Sequence, residues 1–347
     1  MKREALLFDR PAELAATRPA EADDRPRDAG RLLISRPDGH SHACFRDLAA
    51  HLSPGDLLVV NRSATLPASL PGMRPDGSLF TLNLSTDYGD GLWLAEPRYS
   101  PAAPGPLPEL RPGLVVRVAG EEACFVAPFP GLSALWFVKF AGDVSALMAR
   151  AGQPIRYGYV DRAYDLSAYQ TLFAAYPGSA EMPSAAYPFT RRVVDDLARR
   201  GVVLASIVLH TGVSSQEVEV DEVAAHTLYP EPYSVPAATA AAVNEARRAG
   251  RRVIALGTTV VRALESAWDG REVRPVAGFT RRYVHPGRPP RVVNGLLTGL
   301  HDPSTSHLAM LYALAGTELI REGYAEAVRA EYRWHEFGDS HLILSEL

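Results

Sequence analysis

The chain has 347 residues, 47% of them hydrophobic and 22% charged, so it can bury a large core and is long enough for two domains. Its formal net charge is -4, with 36 basic against 40 acidic residues, which excludes a global basic field for nucleic acid and leaves only local patches. No apolar stretch has the length of a signal peptide or membrane span, and the two cysteines, Cys44 and Cys124, lie far apart. We therefore expect a cytoplasmic protein without a disulfide.

The first 60 residues begin with a polar arm that prolines interrupt. Apolar runs at 32–34 and 57–60 predict strands, and an apolar stripe at 45–52 predicts a short helix between them. A charge cluster lies in the arm just before the first strand: Arg25, Arg27, Asp28 and Arg31. Such clusters are usually solvated loops, but this position also suits a binding site.

Short β-rich runs separated by turn residues characterise the segment from about 71 to 143. They lie at 79–84, 91–95, 114–118, 124–127 and 135–140, a pattern typical of a small sandwich or barrel. A proline-rich loop at 97–113 is predicted to be extended and exposed. We expect residues 71–143 to form a β-rich, barrel-like domain inserted into a main domain made of residues 1–70 and 144–347.

After residue 143, helical and strand patterns alternate. Thr190 is placed to cap a helix that precedes an apolar strand at 202–209. Pro236 starts an alanine-rich helix that ends at Gly250 and leads into the next strand. This order predicts an α/β domain with a largely buried sheet, and His210 falls at the carboxyl edge where such sheets bind ligands.

The clearest candidate site is the stretch 252–265, which reads as an apolar strand, a Gly-Thr-Thr turn and a helix. Such a turn directs the free amides of the helix start, with two hydroxyls, beyond the end of the strand, where a carboxylate or phosphate would bind. The alternative is that one threonine simply caps the helix. Arg262 and Glu265 are three residues apart, so they either form a solvated ion pair or both face a ligand.

Familiar catalytic motifs are missing from the sequence. It has no dinucleotide fingerprint, phosphate loop, nucleophile elbow or HExxH pair, so dehydrogenase, nucleotidase, serine esterase and zinc protease functions lose their usual support. The histidine pairs at 40–42 and 335–341 lack a third ligand at metal spacing, and we expect no metal. His301 and Asp339 lie beside turn residues and are candidates for acid/base work, with capping or solvation as the alternative.

Taken together, these motifs resemble the family of S-adenosylmethionine:tRNA ribosyltransferase-isomerases of queuosine synthesis over nearly the whole chain. The resemblance lies in the order and spacing of many short blocks: Pro26-Arg27-Asp28-Ala29 with Arg31, 52–61, Tyr169-Gln170-Thr171, the Gly-Thr-Thr turn with Arg262 and Glu265, 286–287, 296–298, His301 with Pro303, and Gly338-Asp339. It implies an α/β domain interrupted by a small β-barrel, in agreement with the pattern above.

The resemblance also implies a reaction: the ribosyl group of S-adenosylmethionine is transferred and isomerised onto the aminomethyl of a 7-deazaguanine in tRNA, giving epoxyqueuosine. Adenine and methionine are released. Because the sulfonium acidifies the C5′ protons, the site needs a base, a seat for the methionine carboxylate and a donor for leaving adenine. The residues expected to carry the chemistry are His301, Asp339, Glu265 and His210. Those expected to bind substrate are Gly257, Thr258, Thr259, Arg262, Arg27, Asp28, Arg31, Asn61, Tyr169 and Gln170.

Several loops depart from the family pattern. Where the family has Asn-Asp-Thr-Arg, this chain has Asn61-Arg62-Ser63-Ala64, and Ser69 stands where a second arginine is expected. Pro188 replaces a family histidine, and 211–216, including Ser214, replaces a glycine-rich stretch; Gly299, Leu300 and Ser304 differ around His301. Three alternatives follow: the full tRNA-modifying enzyme, a relative that uses S-adenosylmethionine with another acceptor or chemistry, and a non-catalytic binding protein.

If tRNA is the acceptor, local arginines must neutralise its phosphates, because the net charge opposes binding. Aromatic and guanidinium groups interleave in the stretch 281–291, as proteins that bind single-stranded RNA loops favour. The expected contacts are Arg281, Arg282, Tyr283, Arg288 and Arg291. The alternative is an exposed arginine-rich loop without a partner.

Overall fold

The structure, a computed structural model, describes residues 1–101, 103–105, 107–213 and 217–345. Within these residues the strands, in chain order, are β1 (Arg31–Arg36), β2 (Gly39–Cys44), β3 (Leu57–Asn61), β4 (Ser63–Thr65), β5 (Ser69–Met73), β6 (Leu79–Asp87), β7 (Leu92–Arg98), β8 (Leu114–Val118), β9 (Glu121–Pro128), β10 (Trp136–Phe140), β11 (Tyr176–Ser179), β12 (Val203–Leu209), β13 (Glu231–Val235), β14 (Val253–Leu256), β15 (Val276–Thr280), β16 (Gly295–Gly299) and β17 (Ser340–Leu344). The α-helices are α1 (Val144–Ala151), α2 (Arg191–Arg200), α3 (Ala237–Arg248), α4 (Thr258–Ser266), α5 (Ser306–Ala315) and α6 (Thr317–Arg329).

A nine-stranded sheet in the order β15-β13-β12-β3-β14-β16-β17-β1-β2 forms the main layer of the molecule. Its centre is parallel, since β3 pairs in parallel with both β12 and β14, and β14 pairs in parallel with β16. Antiparallel pairs lie toward the edges, such as β12 with β13 and β1 with β2. The predicted α/β sheet is confirmed.

Apolar layers cover both faces of this sheet, which is why its central strands read as continuous apolar runs. Along β3, Leu57 and Val59 face one core, whereas Leu58 and Val60 face the other. Helices α3 to α6 pack on the first face. Helix α2 and a 3-10 helix, Phe45–His51, pack on the second, so the helix predicted at 45–52 is of the 3-10 type.

The ends of the helices follow the predicted capping residues. The Val193 N–H donates a hydrogen bond to the Thr190 hydroxyl at 3.4 Å where α2 begins, and Gly201 follows its end with a φ of 83°. Helix α3 begins directly after Pro236, and Gly250, just past its end, has a φ of 62°. In the described ranges no helix is long and apolar enough to cross a membrane.

Strands β5 to β10 close into an antiparallel barrel of order β10-β7-β6-β5-β8-β9. Leu70, Leu82, Phe125 and Val138 are fully buried in its core. Strand β8 pairs with β5 and β9 here, whereas β14 belongs to the nine-stranded sheet. The predicted barrel-like unit is therefore confirmed.

The barrel core includes residues from outside the predicted insert of residues 71–143. Strand β5 begins at Ser69, and α1 contributes Leu147 and Met148 to the core. Ala180 and Val213 join the same core from segments next to the large sheet. The division of the chain into two domains at residues 71 and 143 stays a prediction.

The proline-rich loop is less exposed than expected. Pro97 still belongs to β7, where it pairs with Leu82, and Leu107 is buried in the barrel core. The prediction of a fully exposed loop is wrong at these residues, because an apolar side chain is more stable against the barrel core than in water. Residues 102 and 106 of this loop lie outside the described residues.

Candidate functional site

A pocket opens at the carboxyl edge of the sheet, where β14 passes into α4. We call it the sheet-edge pocket; it is lined by residues 181–185, Thr211, 256–259, Arg262, 298–301, His307, His335 and Glu336. Gly257 has a φ of 90°, and a Cβ on it would lie 3.2 Å from the Cβ of Ala185, so the turn favours glycine. The pocket brings together five of the predicted site residues: Gly257, Thr258, Thr259, Arg262 and His301.

The start of α4 directs backbone donors toward the sheet-edge pocket. Its N-cap residue is Gly257, so no threonine side chain caps the helix. The first N–H groups of the helix, together with its dipole, therefore favour a negatively charged group at this point. The Thr259 hydroxyl accepts a hydrogen bond from Asn61 Nδ2 at 3.3 Å instead.

Asn61 supports the pocket from behind. Its Nδ2 donates to the Leu209 carbonyl at 2.8 Å, and its Oδ1 accepts from the Leu209 N–H at 3.1 Å. These bonds tie the carboxyl ends of β3 and β12 together next to α4. Asn61, predicted to bind substrate, is not among the lining residues, and its contacts are those of a residue that positions Thr259.

Arg262 is held at the pocket wall by a buried ion pair with Glu231 of β13. The side chains are 8% and 3% exposed, and Glu231 also accepts a hydrogen bond from the Gly212 N–H at 2.8 Å. The guanidinium charge is thus compensated within the protein. Arg262 also lines the pocket, where a guanidinium can bind a second acceptor.

Glu265 has a different position from Arg262, although both lie on α4. Its carboxylate accepts the N–H groups of Arg291 at 2.9 Å and Val292 at 2.7 Å, and Arg282 lies 3.8 Å away. It does not line the pocket. These contacts describe a residue that holds the chain at 291–292, so the geometry does not support the predicted catalytic role.

Two histidines in the pocket are neutral at pH 7. His301 Nε2 lies 2.9 Å from the Thr298 hydroxyl, and its ring centroid is 4.8 Å from that of His307. Burial, reinforced by His307, lowers the pKa of His301 well below its usual value, and burial lowers the pKa of His307 to about 3. Such imidazoles are weak bases, so His301, a predicted acid/base candidate, is better suited to hydrogen bonding than to proton abstraction.

Two acidic residues of the pocket, Glu181 and Glu336, were not predicted. Burial, followed by the charge of Glu181, raises the pKa of Glu336 to about 8. Tyr157 donates a hydrogen bond to Glu181, and Tyr159 donates to Glu336 at 3.4 Å. No short spacing connects positions 181 and 336. The only signal in the sequence was a carboxylate within a mainly apolar run, as in Ala180-Glu181-Met182.

A second cavity lies beside the pocket and contains Asp339. We call it the arm groove; it is lined by Glu13, 15–18, Ala20, Asp23, 25–27, 29–31, Tyr187, Arg333 and 337–339. Asp339 accepts the N–H groups of Arg31 at 2.7 Å and Arg333 at 2.8 Å and forms an ion pair with Arg31 at 3.1 Å. The two predicted acid/base residues, His301 and Asp339, therefore line different cavities, and 335–337 is the segment between them.

The other predicted residues of the arm mainly support this groove. Arg27 pairs with Glu21, and its guanidinium lies 4.5 Å from the centre of the Tyr187 ring. Asp28 is buried and accepts a hydrogen bond from the Thr190 hydroxyl at 2.7 Å.

Tyr169 and Gln170 lie behind the groove. The Tyr169 ring is buried and packs against Phe337 with centroids 5.3 Å apart. The Gln170 side chain exchanges two hydrogen bonds with the backbone of Thr65, at 3.0 and 2.8 Å. Neither lines the groove or the pocket.

His210 lies at the end of β12 but does not line the pocket; its neighbour Thr211 does. Its Nδ1 is 2.8 Å from the Ser63 hydroxyl, which is 2.6 Å from the Ser179 hydroxyl. Burial lowers the pKa of His210. This network joins β12 to the short parallel pair of β4 and β11.

In the stretch predicted to contact tRNA, buried and exposed side chains alternate. Arg281, Arg288 and Arg291 are exposed. Arg282 is only 18% exposed beside Glu265, and burial lowers its pKa. Tyr283 is 7% exposed, so its ring is not available to stack on a base.

The residues that depart from the family pattern are scattered over several elements. The Arg62 guanidinium lies 5.2 Å from the centre of the Tyr176 ring, and Ala64 pairs with Pro177 between β4 and β11. Ser69 is the first residue of β5, the first strand of the barrel. Pro188 is buried beside the pocket-lining segment 181–185. Residues 214–216, including Ser214, lie outside the described residues.

Among the described residues, no three or more histidine, cysteine, aspartate or glutamate side chains are grouped so that they could hold a metal ion. The described cysteines, Cys44 and Cys124, are free. The absence of a metal stays a prediction.

A pocket at the carboxyl edge of a largely parallel sheet, lined by buried histidines and carboxyl groups, is typical of an α/β enzyme. The family model described as "Queuosine biosynthesis protein" matches residues 4–343, and this chain belongs to that family.

Relatives and a solved structure agree with this assignment. The chain is 39% identical to S-adenosylmethionine:tRNA ribosyltransferase-isomerase of Rubrobacter xylanophilus, over 99% of this chain and 98% of the relative. It is 33% identical to the protein of the same name from Thermotoga maritima, over 99% of this chain and 100% of the relative. The crystal structure of S-adenosylmethionine tRNA ribosyltransferase from Thermotoga maritima matches with a TM-score of 0.55 and 27% identity, covering 98% of this chain and 100% of that one.

Proposed function

We propose that this protein is an S-adenosylmethionine:tRNA ribosyltransferase-isomerase. It transfers and isomerises the ribosyl group of S-adenosylmethionine onto a 7-aminomethyl-7-deazaguanine in tRNA, giving epoxyqueuosine, adenine and methionine. Relatives of that name, matching nearly the whole chain, support the proposal. The structural observation that carries it is the sheet-edge pocket, where an anion-binding helix start meets buried polar side chains.

The sheet-edge pocket has a volume of about 60 Å³ and must widen to hold S-adenosylmethionine, but its lining suits the polar parts of that ligand. The methionine carboxylate binds the N–H groups at the start of α4, with Arg262 close by. A neutral imidazole has one donor and one acceptor nitrogen, and because His301 Nε2 already contacts the Thr298 hydroxyl, Nδ1 of His301 and the ring of His307 remain for ribose hydroxyls and adenine nitrogens. Thr258 and Thr259 add two hydroxyls to the same wall.

The arm groove is the surface by which tRNA reaches the pocket. Arginines line it at five positions: Arg18, Arg25, Arg27, Arg31 and Arg333. Arg18, Arg27 and Arg31 form ion pairs with Asp23, Glu21 and Asp339, so the exposed Arg25 and Arg333 supply the local phosphate contacts that a chain of net charge -4 needs. Because Glu336 lines the pocket and Phe337 lines the groove, a nucleotide in the groove lies next to the bound sulfonium compound.

The exposed arginines of the stretch 281–291 are a second proposed contact with tRNA. Arg281, Arg288 and Arg291 offer solvated guanidinium groups to the phosphate backbone. Arg282 and Tyr283 support this surface from its buried side.

Calorimetric titration with S-adenosylmethionine, followed by an assay of adenine release with tRNA bearing the aminomethyl-deazaguanine, tests the function. We expect saturable binding and one adenine released per nucleotide modified. If the compound binds but such tRNA is neither bound nor modified at low salt, the acceptor is a different molecule, as the changes at Arg62 and Pro188 would then indicate. Failure to bind S-adenosylmethionine would overturn the proposal.

A further inference from the structure

Two buried carboxyl groups of the sheet-edge pocket have no part in the function as proposed above. Glu181 and Glu336 are each 6% exposed, and both line the pocket. They lie close enough that the charge of Glu181 affects the ionisation of Glu336. Burying two neighbouring acids raises the free energy of the doubly ionised pair, and a cation bound beside them lowers it.

Each of these carboxyl groups accepts a hydrogen bond from a tyrosine. Tyr157 donates to Glu181 Oε1, and Tyr159 donates to Glu336 Oε2 at 3.4 Å. The two tyrosine rings stack with centroids 6.1 Å apart and planes 11° from parallel. Neither tyrosine lines the pocket, and the Arg98 guanidinium lies over the Tyr157 ring at 5.6 Å, so the tyrosines hold the carboxyl groups in place and a cation in the pocket meets the carboxylates.

An unpaired hydroxyl in the same pocket independently indicates a ligand. Thr211 is 5% exposed and lines the pocket, and its Oγ1 has no hydrogen-bond partner among the residues that the structure describes. A buried hydroxyl without a partner loses free energy that a bound polar ligand restores.

We propose that Glu181 and Glu336 form the seat for the positively charged sulfonium of S-adenosylmethionine, an inference that rests on the proposed function. A sulfonium has no N–H or O–H group, so in this pocket it is recognised by the negative charge of the carboxylates. With the methionine carboxylate at the start of α4, the sulfonium must lie within the same pocket. The seat binds the charged substrate and releases methionine, whose thioether is neutral, so charge distinguishes substrate from by-product.

Binding at this seat is coupled to the loss of a proton. Because the pKa of Glu336 is raised to about 8, this group is mostly protonated at pH 7 before the ligand enters. A sulfonium beside it lowers that pKa, so the O–H bond breaks, the electron pair stays on the carboxylate and the proton passes to solvent.

Other titratable and charged groups surround the seat. They are Glu181, Tyr157, Tyr159, Tyr169, His301, His307, His335, Asp302, Arg10 and Arg262. The histidines are already neutral because burial lowers their pKa values. Arg262 is paired with Glu231, and Arg10 with Asp302.

Calorimetry with two ligands tests the seat. S-adenosylmethionine and S-adenosylhomocysteine, which differ by the sulfonium methyl and its charge, are titrated at pH 7 in two buffers of different ionisation enthalpy. We expect the wild type to release close to one proton with S-adenosylmethionine and much less with S-adenosylhomocysteine. In Glu336→Gln this release disappears, and S-adenosylmethionine binds about ten- to a hundredfold more weakly. Glu336→Asp is expected to restore part of the proton release and part of the affinity for S-adenosylmethionine. The control Glu219→Gln, at an exposed position, should change neither quantity.

The outcomes separate this inference from the function on which it rests. Unchanged affinity for S-adenosylhomocysteine in Glu336→Gln shows that the pocket is intact. The seat is elsewhere if S-adenosylmethionine binds the wild type without proton release and both Glu336→Gln and Glu181→Gln still bind S-adenosylmethionine more tightly than S-adenosylhomocysteine. In that case the proposed function stands. If the wild type binds no S-adenosylmethionine, the proposed function itself fails.

Discussion

The sheet-edge pocket and the arm groove adjoin each other across the segment 335–337, but their ionisable groups differ in exposure to solvent. In the pocket, Arg262 and Glu231 neutralise each other out of contact with water, and burial keeps Glu336 protonated and the histidines uncharged. In the groove, Arg25 and Arg333 are exposed, and Arg31 is partly exposed beside Asp339.

The difference indicates two kinds of recognition. Buried charges interact strongly over short distances, so the pocket distinguishes small ligands by the position of a single charge. Exposed charges interact weakly one by one and are screened by salt, but several together attract a polyanion. The pocket therefore suits a small charged cosubstrate, and the groove suits a nucleic-acid backbone.

Breaking the buried ion pair is expected to have the largest effect. Arg262→Met leaves Glu231 buried without its partner, and we expect a loss of about 3 to 5 kcal/mol in the free energy of unfolding. Urea denaturation measures it. Arg31→Met, which removes the partly exposed partner of Asp339, should cost about 1 kcal/mol or less. Equal losses in the two variants would contradict the contrast between pocket and groove.

Glu336→Gln should alter how stability depends on pH. In the folded protein the pKa of Glu336 is about 8, against 4.5 for an ordinary glutamate, so the folded state holds the proton more tightly. Its contribution to stability is present below pH 4.5 and is lost as the pH rises to 8.

Relative to the wild type, Glu336→Gln should therefore become more stable between pH 5 and pH 9, by an amount on the order of 3 kcal/mol. Urea denaturation at the two pH values gives this difference, with Glu219→Gln as the exposed control. A parallel pH dependence in Glu336→Gln and the wild type would mean that Glu336 is ionised in the folded protein.

Removing exposed arginines from the groove should weaken tRNA binding without affecting the pocket. For Arg25→Ala with Arg333→Ala we expect about tenfold weaker binding at low salt, and the slope of log affinity against log salt should fall by about 1.5 to 2. Fluorescence anisotropy with labelled tRNA measures both. Arg117→Ala, on an exposed face of the barrel, is the control, and S-adenosylmethionine affinity should not change. An unaltered salt slope would remove the groove from the tRNA surface.

The smallest effect is expected at the second arginine surface. Arg281→Ala with Arg288→Ala should reduce tRNA affinity by less than the groove variant, about threefold, because neither residue lines the pocket or the groove and Arg281 already lies over the Phe129 ring. The same anisotropy series compares the two variants. A larger loss here than in the groove would place the tRNA on this side of the molecule.

Features set by local pattern could be predicted from the sequence. The continuous apolar runs of β3 and β14 predicted central strands, because both faces of such strands are covered. The turn at Gly257 followed from a strand, a glycine and a helix in succession, and it does open onto a pocket. The barrel followed from the short alternating runs between 71 and 143.

Contacts between distant parts of the chain could not be predicted in this way. Glu181 and Glu336 line the same pocket only because the segment after β11 and the segment before β17 both lie there, and no spacing in the chain encodes that. Arg262 and Glu265 are close on one helix, but their partners, Glu231 and the backbone at 291–292, lie on different elements. Periodicity shows that a position is buried and leaves open what it faces.

The side chains that the barrel shares with the large sheet make the barrel part of the pocket wall. Ala180 and Val213 lie in the barrel core, while Glu181 and Thr211, one and two residues away, line the pocket. Excising strands β5 to β10 would therefore uncover an apolar patch and loosen two pocket walls at once. Substitutions on the outer surface of the barrel therefore leave the site intact, whereas deletion of the barrel removes part of the site.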